Sequence, residues 1–162
     1  MESSVAFAAP FIVMPSAIET LKGERNAFES LAAALRRMRS NANRFDRWRL
    51  NWFPAYRATG ARITYIADDW LEVRVRLALT WRTRNYVGTI FGGSLYGAVD
   101  PIYMVMLIRA LGPEFVVWDQ AAAIRFLRPG RSTLQATFRL EPEQVAAIAS
   151  DARGQGRVSR DF

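Results

Sequence analysis

From Gly92 to Leu111 the chain is apolar almost throughout, and the only charges inside the stretch are Asp100 and Arg109. A run of that length and character has to be covered on most sides, which makes it a central buried helix or, taken from Ile90 to Ile108, a membrane span. Gly112-Pro113 supplies a stop signal directly after it. A bilayer span is disfavoured because Asp100 at the centre would cost about 2.5–3.5 kcal/mol on insertion, and Gly92, Gly93, Gly97 and Pro101 add nothing favourable.

Strands are available to cover such a helix. Leu71, Val73, Val75, Leu77 and Leu79 alternate with polar neighbours at the period of a half-buried strand. Arg62 to Ala67 alternates more weakly, and Asp68-Asp69 between the two runs predicts a hairpin turn. Beyond the helix, Phe115 to Leu127 predicts one long strand, Arg128-Pro129-Gly130 a turn, and Leu134 to Leu140 a further alternating strand. Glu141 to Ala149 predicts a short helix, and Arg157 to Phe162 reads as the start of another strand. Strand pairs around one buried helix, without βαβ alternation, predict an α+β fold with a mainly antiparallel sheet.

Ahead of these elements, Phe28, Leu31, Leu35, Met38, Ala42 and Phe45 recur at spacings of three and four. They predict an amphipathic helix from Glu24 to about Trp48, packed on a sheet through that stripe and closed at Asn51-Trp52-Phe53-Pro54. Its arginines leave open a nucleic-acid or membrane-surface role. Residues 1–23 read as a tail, unstructured or mis-started. Glu2 stands where a secretory signal would carry positive charge, although a cryptic export signal stays open. Residues 24–162 form one domain, of a size that buries a real core.

Composition removes much chemistry. Cysteine and histidine are both absent, so thiolate nucleophiles, imidazole triads and histidine-ligated metal sites are excluded. Any general acid or base must be a carboxylate, a tyrosine or the single lysine, Lys22. The formal charge of +7, carried nearly all by arginine, suits an anionic partner, and it equally fits a G+C-rich genome.

Two features carry possible chemistry. Gly92-Gly93 at the mouth of the helix lets a ligand approach outward-pointing first-turn N–H groups, which favour an anion or a developing oxyanion. Asp100 lies seven residues past Gly93, near the same helix face. A carboxylate there must be paired, hydrogen-bonded or turned toward a cavity. A buried, satisfied Asp100 that caps a loop or bonds a neighbouring subunit explains the same pattern without catalysis.

Together, Asn85, Gly88, the pair Gly92-Gly93 and Asp100 resemble the motif of hotdog-fold acyl-CoA thioesterases of the phenylacetyl-CoA type. In that motif an asparagine and a glycine precede His-Gly-Gly, and an acid follows nine positions after the histidine. Phe91 stands in the histidine position, as in a branch of hotdog relatives that keeps the glycine pair and loses the imidazole. The likeness covers roughly residues 52–140 and implies a hotdog fold, a helix wrapped by a curved antiparallel sheet, in paired protomers.

What the resemblance implies for the site is specific. Asp100 would be general base or nucleophile, and Asn85 would orient the water or the thioester. The amides of Gly92 and Gly93 in the other subunit would receive the carbonyl oxygen. Phe91 would line an acyl tunnel, with Thr89 and Tyr96 as further substrate-binding candidates. Arg84, Arg125, Arg128 and Arg131 are candidates for the coenzyme A phosphates, each equally readable as a solvated surface arginine.

The implied activity is hydrolysis of a fatty or aryl acyl-CoA thioester, without metal or cofactor beyond coenzyme A as part of the substrate. The alternative is a non-catalytic hotdog protein that binds acyl-CoA or a fatty acyl chain. A cytoplasmic homodimer or dimer of dimers is expected, with no nucleic-acid partner and no stable membrane insertion. The family pattern ends in a further strand pair, so the domain is expected to lack its last strand or strands. Arg157 to Phe162 are then expected to be poorly anchored or paired across subunits.

Overall fold

The computed structural model describes residues 5–8, 10–15 and 43–162. Elements are β1 (Val5–Ala8), β2 (Pro10–Pro15), α1 (43–52), α2 (Pro54–Ala58), β3 (Ala61–Ile66), β4 (Glu72–Leu77), α3 (Gly92–Val99), α4 (Ile102–Leu111), β5 (Phe115–Asp119), β6 (Ala123–Phe126), β7 (Leu134–Arg139), α5 (Pro142–Gln155) and β8 (Val158–Asp161).

The β3–β4 hairpin follows directly from alternation. Ile63, Ile66, Val73, Val75 and Leu77 are buried while Arg62, Arg74 and Arg76 face out. The turn between them is tight. Ala67 N–H donates to the Glu72 carbonyl at 2.8 Å, and Asp69 Oδ1 accepts from Leu71 N–H at 3.0 Å. Trp70 closes it with a φ of 63°, a left-handed conformation that costs a non-glycine residue about 1–2 kcal/mol. Burial of the indole offsets that cost, and Arg109 lies over the ring at 5.1 Å. β7 adds to β4 with Val73 opposite Phe138 and Val75 opposite Ala136.

A second antiparallel sheet runs β5-β2-β8, and β1 pairs with β6. The apolar stretch packs on β3, β4 and β5 through Leu95, Ala98, Ile102, Met106, Leu107 and Leu111, which fall on one helical face. Phe91, Gly93, Tyr96, Ile108 and Arg109 stay exposed, so its cover is one-sided. Gly97 lets the α2–β3 turn come close, since a methyl there would meet Thr59 Cγ2 at 2.8 Å.

The architecture is α+β with antiparallel sheets and a long central helix, an arrangement compatible with a hotdog-like fold. Several expectations are corrected. The central helix divides into α3 and α4 because Pro101 has no N–H to offer the preceding turn. The strand expected over Phe115 to Leu127 breaks into β5 and β6. The short helix from Glu141 extends to Gln155. Ala152 continues the face of Ile148, a capping box at Glu141 and Gln144 starts it, and left-handed Gly156 ends it.

The chain ends differ most. Residues 5–8 and 10–15, read as part of a tail, form strands. β2 lies between β5 and β8, which gives Val158–Asp161 an intrachain partner rather than a loose or intersubunit one. Most of the amphipathic helix expected from Glu24 lies outside the described residues. Within α1, Phe45 faces out instead of packing inward. Asn43 takes the buried side, its Nδ2 donating to the Ala67 carbonyl at 2.9 Å and to Asp68 Oδ1 at 3.1 Å.

Candidate functional site

The mouth of α3 is shaped by the loop before it. Asn85 organises that loop with its own side chain: Oδ1 accepts from Val87 N–H at 3.1 Å and Thr89 N–H at 2.9 Å, and Nδ2 donates to Thr89 Oγ1 at 2.8 Å. Gly88 supplies the positive φ of 82° that the turn requires. The far end is pinned where Phe91 N–H donates to the Thr83 carbonyl and Ile90 N–H to the Gly130 carbonyl. Asn85 and Thr89 are thus bonded to each other, and Thr89 is buried.

α3 begins with no side-chain cap, and its first intrahelical bond is Leu95 N–H to the Phe91 carbonyl at 3.1 Å. The amides of Gly92, Gly93 and Ser94 precede that bond and mark the positive end of the helix dipole. Two aromatic rings crowd them. A methyl on Gly93 would stand 2.4 Å from Phe91 Cε1, and one on Gly92 would stand 3.2 Å from Phe126 Cζ. The Phe91 ring could not lie where it does over a methyl at Gly93, whereas one at Gly92 would only nudge the Phe126 ring aside.

The arginines divide. Arg84 forms a bridge with Ile90, and Arg128 stands in the turn that Gly130 ties to Ile90, so both are exposed beside the loop. Arg125 precedes Phe126 on β6, and strand alternation sends its side chain to the opposite face from the ring over Gly92. Arg131 is exposed beyond the turn.

The acid end of the helix has different neighbours. Asp100 is half-buried at the α3–α4 junction and accepts a hydrogen bond from Tyr96, one turn earlier. That bond holds the Tyr96 hydroxyl above its ordinary value, with burial and the charges of Asp100 and Asp119 adding to it. Asp119, at the end of β5, was not foreseen as a site residue. Its carboxyl is raised by desolvation first and by the Asp100 charge second, and its Oδ1 is buried without a hydrogen-bond partner among the described residues. A signal for it existed: Phe115, Val117 and Asp119 share the inward face of one strand.

Asp100 also borders a cleft of about 620 Å³ between α1, α2, the hairpin and the α3–α4 junction. Phe53, Tyr56, Ile63, Trp70, Met104 and Val105 line it, and Arg49 and Asp100 are its only charged lining side chains among the described residues. Tyr56 donates from its hydroxyl to the Ala98 carbonyl at 3.2 Å, and burial pushes its ionisation well above the ordinary tyrosine value. The cavity is thus apolar along most of its wall, with one carboxylate in it.

Gly93 and Asp100 are seven residues apart, about 10 Å along a helix axis. That separation sets the glycine amides and Asp100 of the chain apart from one another along the helix. Among the described residues no three carboxylates converge to hold a metal ion. Residues 41–159 match the family model described as a domain of unknown function, DUF4442, and the chain belongs to that family. No curated protein and no solved structure matches the chain.

Proposed function

We propose that this DUF4442 protein hydrolyses an acyl-CoA thioester, with the acyl chain in the apolar cleft beside Asp100. The observation that carries this is the placement of Asp100. It is the one carboxylate lining that cleft, and Tyr96 orients it. Asp100 takes a proton from water, whose oxygen bonds to the thioester carbon while the carbon–sulfur bond breaks and the thiolate leaves. The oxyanion is received by the Gly92 and Gly93 amides of a second copy, a reading that the axial separation between those amides and Asp100 supports.

Pairing of copies is further supported by the exposed apolar side chains around the α3 mouth: Tyr86, Phe91, Phe126 and Leu127. Arg84 and Arg128 beside that mouth suit coenzyme A phosphates. We place the reaction in the cytoplasm, in a homodimer or dimer of dimers.

A panel of fatty and aryl acyl-CoA thioesters, assayed by free thiol release, tests this. Asp100→Asn should lower turnover by about 10²–10⁴-fold. Turnover equal to wild type in that variant would remove Asp100 from the mechanism. Phe91, in the position where the thioesterase motif has its imidazole, favours a second reading: a shell that holds acyl-CoA or an acyl chain without cleaving it. Ligand seen by native mass spectrometry with no thiol release from any panel member selects that reading.

A further inference from the structure

The outer face of α1 takes no part in the site described above. Phe45, Trp48 and Trp52 recur at spacings of three and four along it, each more than half exposed. Their rings run in a row, 5.9 Å from Phe45 to Trp48 and 6.2 Å from Trp48 to Trp52. Phe53, equally exposed, continues the row to the rim of the apolar cleft, where Arg49 also stands. Beside the row lies a basic notch of about 330 Å³ lined by Arg44, Arg47, Arg57 and Arg62 together with both tryptophans.

No carboxylate among the described residues pairs with any of these five arginines. The one acid on α1, Asp46, is engaged by Arg109. So much positive charge, with no acid among the described residues paired to it, beside protruding aromatic rings fits a surface that is anionic outside and apolar beneath. Tryptophan settles at such a boundary because its ring is apolar and its N–H is polar. Single-stranded nucleic acid fits less well, since stacking bases need open ring faces. Here the rings turn toward one another, and Arg57 occupies a face of Trp52 at 4.3 Å.

We propose that this face of α1 docks the protein on an anionic lipid surface. The rings enter the headgroup boundary, and the arginines hold lipid phosphates in the notch. Docking in this way sets the rim of the apolar cleft, through Phe53, against the lipid. The proposal stands whether or not the cleft hydrolyses thioesters, because it is read by lipid binding alone.

Cosedimentation of the full chain with sucrose-loaded vesicles tests it. One set is phosphatidylcholine alone, the other equal parts phosphatidylcholine and phosphatidylglycerol. Binding is expected to the second set and to weaken with added salt. The pair Trp48→Ala, Trp52→Ala should weaken it by about tenfold or more, and so should Arg44→Gln with Arg57→Gln, each variant checked for an unchanged Tm. Equal binding of wild type and both folded variants overturns the proposal. So does absence of vesicle binding, whether the face then retains a single-stranded oligonucleotide or a second copy of the chain.

Discussion

The Tyr96 hydroxyl donates to the Asp100 carboxylate from one helical turn away, and that bond stabilises the protonated tyrosine. Tyr96 is therefore held protonated above the ordinary 10.0 of tyrosine. A tyrosine raised in the fold adds stability that is complete below the unfolded value and is lost as pH rises through the folded one. Asp100→Asn should move one tyrosinate absorbance step to lower pH than in wild type. Superimposable curves would show that the bond does not exist in solution.

Asp119 behaves in the same sense, in the acid range. Its folded carboxyl is raised above the ordinary 3.8, so between those two values the unfolded chain ionises first and stability falls as pH rises. Asp119→Asn should therefore raise Tm at neutral pH by up to about 3 °C. The gain should disappear below the ordinary carboxylate value, where both states are protonated. An equal gain at acid and neutral pH would mean that charge burial is not its source.

Asn85 holds its loop through three side-chain bonds. Asn85→Ala should cost about 1–3 kcal/mol of local stability and speed amide exchange at Val87 and Thr89 by about tenfold or more. Asn85→Asp keeps the acceptor for those amides and loses the donor to Thr89, so its exchange rates should fall between the two. Unchanged exchange in the alanine variant would assign the loop's order to other contacts.

Gly60 has a φ of 83°, and a methyl there would stand 2.3 Å from Thr83 Cγ2. Thr83 is buried and cannot yield freely, because its Oγ1 donates to the Ala78 carbonyl at 2.6 Å. Gly60→Ala should cost roughly 2–4 kcal/mol, combining backbone strain with overpacking. Gly156 has a φ of 71° and open space around it, so Gly156→Ala should cost only about 1 kcal/mol in the same denaturant titration. Equal losses at the two positions would mean that the Thr83 contact is relieved at no cost.

Much of the frame was legible where the signal is short-ranged. Val73, Val75 and Leu77 alternate, Asp68-Asp69 turns, and Gly112 stops α4, each within a few residues of its cause. Pro101 should have divided the helix on the same local grounds, since a missing N–H acts wherever it lies. Phe45 shows where local pattern fails. Its spacing continued an apolar stripe, but Asn43 found two acceptors at the hairpin turn and took the inward side.

By itself the sequence determined that a nearly uncharged rod must be covered, that Asp100 lies within it, that glycines open its mouth, and that no imidazole or thiol is available. Only the tertiary structure decided that Asp119 comes to rest near Asp100, that β2 closes the sheet between β5 and β8, and that helices and hairpin leave a cleft at the acid. The physical reason is range. Periodicity and backbone chemistry act between residues a few positions apart. Pairings across the chain depend on which distant surfaces bury one another well enough to offset the entropy of closing the loops between them.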